Sequence, residues 1–100
     1  MQNILFEYLY RDEDNYKDYA SVIYSNPDNL SIKQIQRVIE HHLIEGAWFE
    51  PVKWGIPLFS YHRHNPFGIN DYIWYEFEQL TTTTASAVGG SINDLLNRIV

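Results

Sequence analysis

Residues 3–10 read Asn-Ile-Leu-Phe-Glu-Tyr-Leu-Tyr. As a strand, this segment puts Ile4, Phe6, Tyr8 and Tyr10 on one face and Leu5 and Leu9, beside Glu7, on the other. A strand that is apolar on both sides belongs inside a sheet, so the segment predicts a central strand with neighbours on both edges. The rest of the chain must supply those neighbours and a layer to cover at least one face.

Arg11 to Asp18 is a polar loop, and Tyr19 to Ser25 predicts a second strand that closes at the turn Asn26-Pro27-Asp28-Asn29. Ser31 and Gln34 have capping-box spacing, and Ile32, Ile35, Val38, Ile39, His42 and Leu43 recur at helical intervals. Together they predict a helix over residues 31–45, with Gly46 as its stop. Ala47-Trp48-Phe49 begins a further strand, limited by Pro51 and Pro57, neither of which donates a backbone hydrogen bond. Trp54-Gly55 suggests a turn or bulge. Leu58–His64 resembles a strand, and Asp71–Leu80 a long one. On the latter, regular alternation puts Tyr72, Trp74, Glu76 and Glu78 on one face and Ile73, Tyr75 and Phe77 on the other.

Four threonines and the pair Gly89-Gly90 mark residues 81–90 as a flexible connector. It leads to a short last helix capped by Ser91, with Ile92, Leu95, Leu96 and Ile99 on one face. The fold expected is α+β: a single antiparallel or mixed sheet of four to five strands, one main helix packed on it and a short C-terminal helix. All of it forms one domain over residues 1–100. Sixteen aromatic residues are more than one helix can cover on such a sheet. Either the last helix covers the second face, or another molecule does.

Charge narrows the function classes. The net charge is −6, and residues 1–30 carry −4 of it. An acidic surface offers no attraction to duplex DNA or to an anionic membrane. No segment approaches the ~20 apolar residues of a membrane helix, and the N-terminus has no basic stretch followed by an apolar run, so the expected location is cytoplasmic. Absence of cysteine removes thiolate nucleophiles and Cys-ligated zinc, and agrees with a reducing compartment. No Walker loop, dinucleotide fingerprint, nucleophile elbow or His-Glu-x-x-His helix occurs. No cofactor is expected.

Phe6-Glu7-Tyr8-Leu9-Tyr10-Arg11-Asp12, followed by Asn15-Tyr16-Lys17, resembles a family of small bacterial cytosolic proteins. The Asn26-Pro27 turn, the Leu30-Ser31 helix start, Trp54-Gly55-Ile56-Pro57 and Trp74 with Glu76-Phe77 are similar in the same order, so the resemblance covers residues 4–80. It implies a bacterial or phage-like, single-domain cytosolic protein and carries no activity. Where similar proteins have an acidic His-Trp-His-like segment, this chain has Tyr72-Ile73-Trp74-Tyr75, so no metal role carries over there.

The candidate binding residues are Arg11, Asp12, Asp14, Tyr16 and Lys17 in the first loop, with Trp48 and Trp54. Arg11 is suited to clamping a carboxylate or phosphate through two parallel hydrogen bonds. The competing reading is a loop tied by Asx turns and an ion pair. Trp48, Trp54 and Trp74 are core anchors or interface anchors. His62 and His64 would share one face of a strand, which begins a metal site, with Asp71 as a distant third ligand. Two imidazoles alone are an incomplete set, so no metal is assigned. His41 and His42 complement the negative end of the helix.

The leading functional reading is a non-enzymatic interaction protein. Its partner would be a protein with a basic surface, and a phage or mobile-element inhibitor of a bacterial defence or nucleic-acid-handling complex fits that description. A homodimer through the last helix is a further expectation. The alternatives are a binding or sequestering protein for a nucleotide signal, and a His- or metal-dependent hydrolase using His62 and His64.

Overall fold

A computed structural model describes residues 2–63 and 73–100. The strands are β1 (Asn3–Arg11), β2 (Lys17–Tyr24), β3 (Trp48–Phe49) and β4 (Tyr75–Thr83), and the helices α1 (Ile32–His42), α2 (Pro51–Trp54), α3 (Ser60–Arg63) and α4 (Ile92–Ile99). They form one four-stranded antiparallel sheet in the order β2-β1-β4-β3. The fold is α+β, and β1 is central, as its two apolar faces require.

One face of the sheet is the core. Ile4, Phe6 and Tyr8 of β1 meet Val22 and Tyr24 of β2, Phe49 of β3, and Tyr75 and Leu80 of β4. Ile35 and Ile39 of α1, Trp54 of α2, and Ile92, Leu95 and Ile99 of α4 close over them. The rings pack edge to face or stacked: Phe6 against Phe49 at 5.7 Å and Tyr8 against Tyr75 at 5.5 Å between centroids. The last helix therefore joins the main helix on the same side and does not cover the second face.

Local chemistry sets the element ends. Ser31 and Gln34 close a capping box on α1, and Ser91 and Asp94 close another on α4. Helix α1 stops at His42, short of Gly46. Glu45 and Gly46 instead adopt φ of 52° and 74° in a tight turn that pairs Ile44 with Trp48. Buried Asn26 ties the turn after β2 by bonding both the N–H and the C=O of Leu30, at 3.0 and 2.8 Å.

Three sequence expectations are corrected. Leu58–His64 is not a strand: residues 60–63 form one helical turn, with the N–H groups of His62 and Arg63 both donating to the Phe59 carbonyl. Alternation over so few residues does not separate a strand from a turn of helix, and here packing on Tyr8, Tyr10 and Tyr75 decides. Strand β4 begins at Tyr75 and runs through Thr83, into the segment expected to be connector. Residues 84–90 then return along β2, where the N–H groups of Val88 and Gly89 donate to Ile23 and Gly90 accepts from Ser25.

The third correction concerns face assignment in β4. Glu7 pairs with Gln79 but Tyr8 pairs with Phe77, so Glu78 is the extra residue of a β-bulge. Glu76 and Glu78 consequently do not form a regular same-face pair. The bulge lets Tyr75 and Phe77 on one side of it and Leu80 on the other all point into the core.

Candidate functional site

The loop expected to carry binding residues is the tip of the β1–β2 hairpin. Asp12 Oδ1 accepts from the N–H groups of Asp14 and Tyr16, both at 2.9 Å, while Asn15 takes a left-handed φ of 67°. Asp12 is thus committed to holding the turn. Arg11 Nε donates to Glu76 Oε1 at 2.7 Å and Nη2 to Glu76 Oε2 at 3.3 Å, and Nη1 also bonds Asn15. This guanidinium fastens the hairpin tip to β4 rather than waiting for an anion. Its hydrogen bond holds the Glu76 carboxyl below the usual range. Asp14, Tyr16 and Lys17 are exposed at the tip.

Among the described residues, no helix packs on the second sheet face. Register assigns to it Leu5, Glu7, Leu9 and Arg11 of β1, Lys17, Tyr19, Ser21 and Ile23 of β2, and Glu76, Gln79 and Thr81 of β4. Trp48 of β3 lies opposite Glu76, and the Trp74 ring sits 6.3 Å from it. Leu9 is buried yet stands outside the core cluster, flanked by Tyr19 and Glu76. Tyr19 is 62% exposed and Trp74 45%. This open face unites Arg11, Lys17 and Trp48 of the expected site residues. Trp54 is apart from them, buried in the core against Phe49 at 4.8 Å.

Sequence reasoning left Tyr19, Ser21 and Glu76 out of the site. The signal for them was present: once β1 is central and Leu9 faces away from the core, antiparallel partners of Leu9 and Glu7 must share that face.

A second cluster joins the core side to α3. The Tyr75 hydroxyl accepts from the Phe59 N–H at 3.0 Å and bonds His62 Nδ1 at 2.8 Å. Tyr8 donates to the Pro57 carbonyl at 2.9 Å, and Tyr61 to Asp18 at 2.7 Å. Burial pushes the Tyr8 phenol up to about 12, raises that of Tyr75, and lowers the His62 imidazole. His62 is therefore a neutral ring in an aromatic niche, on a helical turn rather than a strand. The expected partners His64 and Asp71 lie outside the described residues. Among the described residues, no group of three His, Asp or Glu side chains is placed to hold a metal. His42 Nδ1 donates to the Val38 carbonyl at 2.9 Å in the last turn of α1, and His41 is exposed.

Among the described residues, no helix is long and apolar enough to cross a membrane. Compared with protein-family models, with curated proteins and with solved structures, the chain matches none.

Proposed function

We propose that this chain is a protein-interaction module whose docking surface is the open face of its sheet. The observation that supports it is the one-sided layering: α1, α2 and α4 share one core, while among the described residues no layer covers the other face, where Tyr19 and Trp74 are exposed and Trp48 lies beside Trp74. Exposed tyrosine and tryptophan rings are the residue types that anchor protein interfaces. Polar rows containing Glu7, Gln79, Arg11 and Lys17 alternate with the apolar ones and keep the free surface wettable. The net charge of −6 favours a partner with a basic surface. Nucleic-acid-handling complexes present such surfaces, which keeps an inhibitor of one within this reading.

The test is affinity capture with the tagged chain and with its Tyr19→Ala and Trp74→Ala variants, followed by reconstitution with the purified partner. The expected result is one stoichiometric protein, bound at least on the order of tenfold more weakly by each variant. A partner that binds both variants as tightly as the wild type would refute the open face as its site.

A further inference from the structure

We propose that a second copy of this chain pairs with the first along β2, antiparallel about a two-fold axis at Tyr19, to make one continuous eight-stranded sheet. This does not depend on what the open face binds.

The starting point is the unfinished edge of β2. In an antiparallel ladder, the N–H and C=O of a residue point to the same side, and the side alternates along the strand. Ile23 and Ser25 direct theirs away from β1. The Ile23 carbonyl accepts from Val88 and Gly89, both at 3.0 Å, and Ser25 exchanges 2.8 Å bonds with Gly90 and Ile92. Lys17, Tyr19 and Ser21 share that parity, and among the described residues no backbone group pairs with theirs. The returning segment completes the upper part of the edge and leaves the lower part as a template for strand addition.

The side chains gathered there are unusually exposed. Tyr16 is 75% exposed, Tyr19 62% and Val88 80%, and all three flank this edge. Two-fold pairing at Tyr19 sets that ring beside its symmetry mate on the open face. It also carries Tyr16 to the end of the partner's 88–89 segment.

Charge complementarity selects a second copy over an arbitrary strand. A lysine on an edge normally discourages pairing. In this register Lys17 faces Ser21 of the partner subunit, and the small serine leaves a gap over the sheet. Glu7 lies directly beyond Ser21 in the same cross-strand row. Two strand spacings, about 10 Å, separate the Lys17 backbone from that of the partner's Glu7, within reach of the two extended side chains. The contact occurs twice by symmetry. The apolar face of α4 is already buried in its own core through Ile92, Leu95 and Ile99, so it does not compete as the dimer surface.

The experiment is sedimentation equilibrium of the full chain over a concentration series, with far-UV circular dichroism as the check on folding. The wild type is expected to reach twice the chain mass. Lys17→Glu and Glu7→Lys are each expected to weaken dimerisation on the order of tenfold, because the ion pair is lost twice. The double variant K17E/E7K restores it, since the charges are exchanged rather than removed. Ser21→Pro removes an outward-pointing N–H without touching the β1 ladder and yields a folded monomer. A wild type that stays monomeric throughout overturns the proposal. So does a dimer indifferent to Ser21→Pro, or a charge exchange that fails to rescue.

Discussion

Deleting Glu78 tests the logic of the fold at a single residue. Glu78 is exposed and is the extra residue between Phe77, opposite Tyr8, and Gln79, opposite Glu7. Without it β4 reads Tyr75-Glu76-Phe77-Gln79-Leu80, a regular alternation that keeps Tyr75, Phe77 and Leu80 on the core face and every pairing with β1 in place. The ladder closes without the bulge and no core side chain turns over, so the deletion should stay within about 1 kcal/mol of wild type. Deleting Glu76 has the opposite consequence. Tyr75 and Phe77 become neighbours in sequence, and one of the two rings must leave the core face. Tyr75 is fully buried, and its departure costs about 3–5 kcal/mol and breaks the hydrogen bonds to Phe59 and His62. Phe77 is only partly buried, so the cheaper route sets the expectation at a loss of about 2 kcal/mol or more, against a total stability of about 5–15 kcal/mol. The exposed Arg11–Glu76 pair lost with it adds at most about 1 kcal/mol. Equilibrium urea unfolding of both variants reads the difference as a shift of midpoint at constant slope. Should the two deletions unfold within about 1 kcal/mol of each other, the extra residue does not set the parity of β4 and the reasoning fails.

Removing the Tyr75 hydroxyl with Tyr75→Phe keeps the ring but strands the half-buried Phe59 N–H, for a loss of about 1–3 kcal/mol; Tyr8→Phe, which frees only the Pro57 carbonyl, should cost about 1 kcal/mol, and thermal melts compare the two. Because Arg11 lowers the Glu76 pKa below its ordinary 4.5, the pair contributes stability above that value and loses it as pH falls through the lower folded one. Arg11→Gln should flatten that acid limb and cost at most about 1 kcal/mol at neutral pH, measured by urea unfolding at several pH values. His62 has the opposite charge logic: burial lowers its pKa below 6.5, so the unfolded state takes the proton first and stability falls as pH drops below 6.5. The variant His62→Gln should lose this slope. At Gly89 an added Cβ would lie 2.4 Å from Val22 Cγ1, so Gly89→Ala should lift the returning segment off β2 and raise hydrogen exchange at the Ser25 amide.

What the sequence made legible follows how local each signal is. The capping box at Ser31, the cap at Ser91, the Asn26 turn and the two-sided apolar pattern of β1 are all written within a few residues, and each is found in place. The bulge at Glu78 is not written locally, because it exists only relative to β1. The short α3 was misread because Phe59, Tyr61 and His62 satisfy both periods, and only their packing on Tyr10 and Tyr75 distinguishes them. Within the candidate site, Arg11, Lys17 and Trp48 were identified by type. Their partners Tyr19 and Glu76 became visible only through register, and Trp54 was a core ring that composition alone does not separate from a surface one.

The two faces of β1 show why the open side is a surface rather than an unfinished core. On the covered side, Phe6 meets Val22 and Leu80, Tyr8 meets Ala20 and Phe77, and only Ile4, between Tyr24 and Thr82, has a polar neighbour in its row. On the open side the rows alternate: Leu9 with Tyr19 and Glu76, then Glu7 with Ser21 and Gln79, then Leu5 with Ile23 and Thr81. A second helical layer laid over that pattern would bury Glu7 and the Arg11–Glu76 ion pair together with the leucines, and desolvating those charges costs more than the leucines return. A partner that brings cations to the acidic rows and apolar side chains to Tyr19 and Trp74 meets no such penalty. The same row pattern, extended across β2 into a second copy, sets Lys17 against Glu7 rather than against another lysine. The arrangement that forbids an internal second layer is therefore the one that suits an intermolecular contact.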